Sequence, residues 1–497
     1  VHYDVDIALS ALRYYRAELL AGRETGRSAE RLESARRTFA KESEVYRLYS
    51  QAEAGFSAAL ERAGERASRR LSVRLLLNAA RCRDRLGMID QAYEALMDAE
   101  SVARKFGYDD LLWMIDASVA GLLRRHGESL EGARAAGLAA ERYRRAISAV
   151  EARPLDGSWA IGRIRRLYDE FAGTLAMGGD ARGVISVLER RRATERILLV
   201  RAASPDFYRK EDSLTYRRAL ALSSTRAVLA GERSRLLEAG ARSPGDLSAI
   251  DKSIADNELE FARLVDGLES QRPAIASFLR HRHKPLPEIK GGAAFEFLFV
   301  DGIVHGWRLK GKNIEYRVLG DAGKEGRERL RTGVKRFLSE AGEDAEPRLV
   351  LFDGHSAELF RMLGPSGFPP FMFSTSLDDA ANRADRGGSS PTSLYTDDRK
   401  LREKLQGIPA LDRLIMRDGT LPDRGLARFS VLVYPDGPLS NAALFGNRLD
   451  AEVLFLNMKT FDEERIALAA IAARYAGARS VVVCHGLDSD GLAAFVG

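Results

Sequence analysis

Residues 428–462 read RFSVLVYPDGPLSNAALFGNRLDAEVLFLNMKTFD, and this stretch decides the fold that the sequence predicts. It holds two short apolar runs, Phe429–Tyr434 and Val453–Leu456. Pro-Asp-Gly-Pro follows the first run and Asn-Met-Lys-Thr follows the second, so both runs end in turn-forming residues. Because strands that are covered on both faces are apolar without alternation, these runs are typical of buried strands in a parallel sheet.

The residues just after these two strands are where a site is expected. In open α/β sheets, ligands bind in the crevice outside the carboxyl ends of the strands. Any chemistry of this region should therefore lie at Tyr434–Asp436 and at Asn457–Lys459. Neither tripeptide contains a histidine or a thiol, so the residues at both positions predict an unreactive site.

Composition places the chain among multidomain globular proteins. Its 497 residues exceed the size at which a single core stops growing, about 250–300 residues. Lysine and arginine outnumber the acidic residues by 77 to 71, with the two signs interspersed, which favours a mixed solvated surface over a nucleic-acid interface. No apolar run approaches the ~20 residues of a membrane helix, so we expect neither a membrane nor a nucleic acid as partner.

Cysteine and histidine usage bounds the compartment and the cofactors. Cys82 and Cys484 are too few for a disulfide framework and fit a reducing cytosol. His281 and His283 have the spacing of a metal-binding pair, but no further ligand stands near them in sequence. We expect no metal and no cofactor. The start at Val1 and the apolar end lead us to interpret the chain as truncated at both ends.

Residues 1–203 have the periodicity of paired helices. Gly87, Ala92, Leu96 and Ala99 have the spacing of the second helix of a tetratricopeptide repeat (TPR), in which small residues let two helices approach. The same spacing returns further along the chain, at Gly127, Gly132, Ala136 and Ala139. The sequence therefore predicts a TPR-like α-solenoid, with an unrelated helical bundle as the alternative.

Residues 204–284 change character and predict a long helical hairpin that links the solenoid to the next domain. Two charged helices are expected, at Asp212–Glu238 and Pro244–Ser270. The second helix carries an apolar stripe for packing against the first. The stripe consists of Leu247, Ile250, Ile254, Leu259 and Leu264.

Residues 285–497 predict an α/β sheet domain. Phe295–Val300, Ile303–Lys310 and Ile314–Leu319 are expected to form strands that tight Gly-containing turns connect. Strands and helices then alternate along the chain, which indicates a sheet covered by helices. The helices are expected at Glu325–Ala341, Ser356–Leu363 and Asp462–Tyr475, and further strands at Arg348–Phe352, Phe371–Ser374 and Arg479–Val483. Leu401–Gln406 and Leu411–Met416 are expected to lead into the two central strands. The fold class is therefore multidomain α + α/β.

This order of elements resembles that of CHAT proteins, caspase-like domains associated with tetratricopeptide repeats. Leu175–Ala203 (LAMGGDARGVISVLERRRATERILLVRAA) is similar to the last repeat of that family. Leu349–Leu363 (LVLFDGHSAELFRML) is similar to its strand–Asp-Gly–helix motif. Leu449–Leu456 resembles the strand before the catalytic cysteine, and Asp462–Val482 the helix and strand that close the domain. The resemblance implies a caspase-like fold for residues 285–497.

The resemblance also implies where a catalytic dyad would lie. Active members of the family resemble caspases, with a histidine after one strand and a cysteine after the next. The imidazole generates the thiolate nucleophile and protonates the leaving amine. The matching positions hold Tyr434 and Asp436, then Asn457 and Lys459. A phenol with a pKa of about 10 is a poor base at neutral pH, so a catalytically silent domain is implied.

A second register of the same resemblance stays open. Val481–Gly486 (VVVCHG) also resembles the family's strand–His-Gly motif. His485 would then be the base, and the nucleophile would lie beyond Gly497. A direct Cys484–His485 pair is disfavoured, because adjacent residues of a strand point to opposite faces. A buried small apolar residue is the ordinary role of a cysteine such as Cys484.

Two functions follow from these alternatives. The first is a protein-interaction module whose TPR-like repeats bind a peptide or protein partner and are coupled to a silent CHAT domain. The second is a CHAT-type cysteine endopeptidase with His485 as base. A cytoplasmic location suits both.

Overall fold

The computed structural model describes a helical first part and two β-sheets near the end of the chain. The described residues are 2–24, 41, 43–63, 68–152, 161–203, 205, 207, 209–240, 244–280, 285–300, 302–323, 326–339, 348–351, 354–363, 372–374, 393–395, 413–415, 429–433, 445, 453–458, 463–475 and 480–485.

The helices are numbered in chain order. They are α1 (His2–Glu24), α2 (Glu44–Ala63), α3 (Arg69–Arg85), α4 (Ile89–Phe106), α5 (Asp109–Glu131), α6 (Ala135–Ala152), α7 (Ile161–Met177), α8 (Ala181–Ala203), α9 (Lys210–Glu238), α10 (Pro244–Gln271), α11 (Pro273–Ala276), α12 (Arg327–Ser339), α13 (Gly354–Leu363) and α14 (Glu463–Tyr475). Among these residues, none of the helices is long and apolar enough to cross a lipid bilayer.

Tight turns fold the first part into helix pairs. Between α3 and α4 the chain reverses at Gly87, whose φ of 76° is the left-handed conformation that glycine adopts without strain. The Met88 N–H donates to the Arg83 carbonyl at 2.9 Å and closes the end of α3. On α4, Ala92, Leu96 and Ala99 are buried, so small side chains lie where neighbouring helices pack.

The pairs stack on one another. Consecutive helices pack together, and α3, α5 and α7 also contact each other as alternate members of the series. Alternate contacts of this kind place the first helix of each pair in one layer and the second in another, which is the arrangement of stacked helical pairs.

The hairpin of α9 and α10 follows, as the sequence predicted. One residue of the predicted stripe is wrong: Leu259 is 49% exposed, and Phe261, Val265 and Leu268 face the packing side instead. Leu259 lies five residues after Ile254, whereas the packing face of a helix returns every three or four residues.

The strands form two five-stranded sheets. The strands are β1 (Ile289–Val300), β2 (Ile303–Gly311), β3 (Asn313–Asp321), β4 (Arg348–Leu351), β5 (Met372–Ser374), β6 (Ser393–Tyr395), β7 (Arg413–Ile415), β8 (Phe429–Val433), β9 (Val453–Met458) and β10 (Ser480–His485). The first sheet has the order β3-β2-β1-β4-β5, with antiparallel pairing among β1, β2 and β3 and parallel pairing beyond. The second has the order β10-β9-β8-β6-β7 and is parallel throughout.

The parallel pairing of β8 with β9 confirms the prediction from residues 428–462. The predicted strand ends are shifted. Asn457 and Met458 belong to β9 instead of the following turn, because their backbones stay paired with Cys484 and His485 of β10. The same pairing extends β10 two residues beyond the predicted end at Val483.

The helical region and the first sheet share one hydrophobic core. Leu298, Val300 and Trp307 belong to the same buried cluster as residues of α4 to α8. A Cβ atom at Gly173 of α7 would lie 2.9 Å from Cγ1 of Val300, so the helix approaches β1 as closely as a glycine permits. Contacts of α8 with β3 and α14 continue this interface.

Candidate functional site

Of the positions predicted for a catalytic dyad, Asn457, Cys484 and His485 lie at the carboxyl ends of β9 and β10. Tyr434, Asp436 and Lys459 fall outside the described residues. Asn457 is paired through its backbone with Val433 on one side and Cys484 on the other.

The backbone register therefore brings some of the predicted positions together and leaves others untested. Met458 is paired with His485 one step further along the strands. Asn457, Cys484 and His485 thus occupy one edge of a parallel sheet, which is where α/β sheets carry their sites. The register places Asn457 of the first set beside Cys484 of the alternative set.

A groove of about 340 Å³ crosses the first helices of successive pairs. We call it the repeat groove. Residues of α1, α3, α5 and α7 line it, together with Ala92 and Leu96 of α4. Its charged residues are Glu18, Arg81, Asp84, Arg85, Arg125, Arg163, Arg166 and Glu170.

Each of the three carboxylates in the repeat groove has an arginine beside it. The pairs are Arg85 Nε with Glu18 Oε1 at 3.3 Å, Arg125 Nη2 with Asp84 Oδ2 at 2.6 Å, and Arg166 Nε with Glu170 Oε1 at 2.9 Å. Tyr49 also donates to Glu18 at 2.6 Å, and Tyr143 donates to Glu170 at 3.0 Å. The acidic side chains of the groove are thus held by its own residues.

These contacts keep both glutamates ionised despite their burial. Burial alone would raise the pKa of Glu170, but the positive charges of Arg166, Arg125 and Arg124 lower that pKa below its ordinary value. Burial alone would also raise the pKa of Glu18. The positive charges of Arg85 and Arg166 and the hydrogen bond from Tyr49 lower that pKa below its ordinary value.

Arg81 differs from the arginines of these pairs. Within the part of the chain that the structure describes, it has neither a hydrogen bond nor a carboxylate at ion-pair distance. Its side chain is partly buried. Burial, together with the positive charges of Arg163 and Arg166, lowers the pKa of Arg81, so the groove does not fully stabilise this cation.

The rest of the lining is aromatic and apolar. Trp113 and Met114 of α5 line the repeat groove beside Tyr14 and Tyr15 of α1. The two tyrosine rings contact edge to face at 5.8 Å, and Arg163 Nη2 donates to the Tyr15 oxygen at 3.4 Å. Apolar area beside a few placed charges is what a binding site for a peptide or small molecule requires.

A second cavity, of about 380 Å³, lies between the last helix pair and the hairpin. Its two arginines are matched by carboxylates: Arg226 pairs with Glu258 at 2.6 Å, and Arg280 pairs with Asp266 at 2.5 Å. This cavity therefore has fewer unpaired positive charges for a ligand to bind than the repeat groove has.

Redox and metal chemistry find little support among the described side chains. Cys82 is fully buried on α3, and burial raises the pKa of its thiol well above the ordinary value. Such a thiol is a packing residue, not a nucleophile. Within the described ranges no three His, Cys, Asp or Glu residues come close enough to hold a metal ion.

Reasoning from the sequence missed the repeat groove. It followed the second helices of the predicted repeats, through Ala92 and Leu96, whereas the first helices of the observed pairs supply most of the groove. No local signal marks it, because Arg81 is one of six arginines on α3.

It also missed two polar contacts that join the helical region to the first sheet. Arg192 of α8 donates to the fully buried Glu296 of β1 at 2.6 and 3.0 Å. His355 at the start of α13 lies 3.0 Å from Asp169 of α7. Neither contact follows from a local pattern, because more than 100 residues separate the partners in each.

Comparison with known proteins adds no assignment to this geometry. The chain matches no protein-family model, and no curated protein matches it either.

Proposed function

We propose that this chain is a protein-interaction module, in which TPR-like helical repeats bind a peptide segment of a partner protein and are coupled to a catalytically silent CHAT-like domain. The observation that carries the proposal is the repeat groove. It lies across the first helices of stacked pairs, and it combines an apolar wall with placed charges.

The shared core supports the coupling. Helix α7 carries Arg166 and Glu170 in the repeat groove, and Asp169 and Gly173 against the first sheet. A ligand that orders α7 therefore acts on an element that also packs against β1. Coupling of this kind requires that α7 can adopt two placements and that the ligand binds one of them more tightly than the other.

The silence of the CHAT-like domain rests on residue chemistry. Tyr434, Asp436, Asn457 and Lys459 offer neither an imidazole nor a thiol at the positions that match the family's dyad. The caspase-like assignment itself rests on the sequence resemblance and is consistent with a parallel sheet flanked by a helix.

Selection of peptides from a random library tests the proposal. Ala117 lines the repeat groove, so Ala117→Phe fills it, and we expect this variant to lose the selected peptides. Ala136 is exposed on α6 outside the groove, so Ala136→Phe is the matched control and should bind as the parent does. Equal binding by the parent and Ala117→Phe would remove the groove from the proposal.

The peptidase is the second candidate, and the register of β10 favours it. His485 ends this strand beside Met458, at the edge where a parallel sheet carries its site. Hydrolysis of a fluorogenic peptide library by the longest natural form of the chain tests it. Cleavage that His485→Gln abolishes would favour the peptidase, and absence of cleavage would favour the silent domain. Cleavage that His485→Gln leaves unchanged would mean that His485 is not the base.

A further inference from the structure

The repeat groove holds more positive than negative charge. Among the described residues that line it, five are arginines and three are carboxylates. Each carboxylate already has an arginine beside it. The surplus is concentrated near Arg81, whose neighbours in the groove include Arg163 and Arg166.

An arginine in this position is costly to keep. Taking a guanidinium out of water loses hydration, and Glu18, whose negative charge acts on Arg81, is already paired with Arg85. The like charges of Arg163 and Arg166 add to the cost. A leucine or methionine would fill the same space without this cost, so the cation is explained by a ligand that supplies a carboxylate of its own.

We propose that Arg81 is the anchor for an acidic side chain of the peptide that the repeat groove binds, so that the partner presents an Asp or Glu beside an apolar residue. This proposal rests on the proposed function, since it names the chemistry of the same ligand. The guanidinium donates to the incoming carboxylate in a charge-assisted pair, and the apolar neighbour packs against Trp113 and Met114.

The observations favour a peptide over a nucleic acid. Glu18, Asp84 and Glu170 lie in the same groove and would repel successive phosphates of a polynucleotide. The positive surplus is a spot, not the extended basic track that follows a nucleic-acid backbone. A single carboxylate flanked by apolar groups fits both the charge and the aromatic wall.

Binding of a designed peptide pair tests the proposal directly. A fluorescein-labelled peptide with a single Glu between two leucines, and its counterpart with Gln in place of Glu, are titrated by fluorescence anisotropy. We expect the acidic peptide to bind more tightly, and Arg81→Gln to weaken it about tenfold with little effect on the neutral peptide. Arg69 is exposed at the start of the same helix, so Arg69→Gln is the matched control and should change the Kd less than about twofold.

The outcomes separate this proposal from the proposed function. If both peptides bind equally, and Ala117→Phe blocks both, the groove binds peptides but the acidic preference is wrong. If neither peptide binds, the peptide-binding function and the acidic preference both fail for these sequences. Tighter binding of oligo-dT than of the acidic peptide would replace the peptide by a nucleic acid.

A stability measurement provides a readout that needs no ligand. Arg81→Met removes the uncompensated cation and retains the apolar stem, so the thermal midpoint of the unliganded protein should rise by about 2 °C. Arg69→Met should leave the midpoint unchanged. An unchanged or lower midpoint for Arg81→Met would mean that Arg81 is a structural residue, and the proposal would be overturned.

Discussion

The pair of Arg192 and Glu296 joins the helical region to the first sheet, and breaking it from one side is the sharpest test of that interface. Arg192 Nη1 and Nη2 donate to the two oxygens of Glu296 at 3.0 and 2.6 Å, and Glu296 is 0% exposed. Arg192 also lies 2.6 Å from Glu189 on its own helix. The two ends of the pair are therefore not equivalent.

The expected magnitudes follow from this asymmetry. Arg192→Met leaves the Glu296 carboxylate in the core without its two charged donors, and this should lower the free energy of unfolding by about 3–5 kcal/mol. Glu296→Met leaves Arg192 with Glu189, so the loss should be smaller, about 1–3 kcal/mol. The double substitution leaves no buried charge at the site and should recover part of the loss.

Urea denaturation, followed by circular dichroism and tryptophan emission, measures all three variants. Arg218 and Glu260 form a matched exposed pair, with side chains 64% and 49% exposed, so Arg218→Met should cost about 0–1 kcal/mol. The reasoning is refuted if Arg192→Met costs no more than Arg218→Met. It is also refuted if the double variant is less stable than the sum of the single losses.

Three further predictions concern packing and titration. Gly173→Ala places a Cβ 2.9 Å from Val300 and should lower the free energy of unfolding, measured by urea denaturation, by about 1–3 kcal/mol. Val300→Ala should relieve this loss. Gly231 has open space around it in mid-helix, so Gly231→Ala is the control and should raise the free energy of unfolding by about 0.5–1 kcal/mol. Because burial raises the pKa of the Cys82 thiol, alkylation monitored by mass spectrometry should be negligible at pH 8 until urea unfolds the chain, and rapid labelling of the folded protein would contradict this. Burial alone would raise the pKa of Glu170, but the neighbouring arginines lower that pKa in the folded protein. The ionised Glu170 therefore contributes to stability above its unfolded pKa of about 4.3, and this contribution is lost as the pH falls through its folded pKa. The stability advantage of the parent over Glu170→Gln should therefore shrink on acidification, and a constant difference in unfolding midpoint from pH 7 to pH 3 would count against it.

Local patterns were sufficient to predict the class of most elements. The apolar runs at Phe429 and Val453 do form neighbouring parallel strands, and Gly87, Gly107 and Gly179 do separate helices, whereas Gly127 lies inside α5. The predicted ends of the strands were less accurate. Strand β9 continues through Met458 because the neighbouring strand β10 pairs with it there. The backbone N–H and C=O groups of Asn457 and Met458 stay paired with β10, and no residue near Met458 in the sequence indicates this pairing.

The repeat groove could not have been predicted in the same way. Its charged residues come from α1, α3, α5 and α7, and their proximity is set by how the pairs stack. In sequence, Arg81 differs little from Arg74, two turns earlier on the same helix. In the fold, Arg74 is exposed, whereas Arg81 lies partly buried beside two other arginines. Only the surroundings distinguish a solvated charge from a binding group.

Helix α7 joins the proposed binding groove to the first sheet. Arg166 and Glu170 form one stripe of this helix, and Asp169 and Gly173 form the adjacent stripe, since residues four apart lie one above the other. The first stripe lines the repeat groove, and the second contacts His355 and Val300. A packed helix moves as a unit, so a ligand that shifts the first stripe shifts the second. Since Gly173 leaves no free space against Val300, any such shift must be accommodated by β1 or resisted by it.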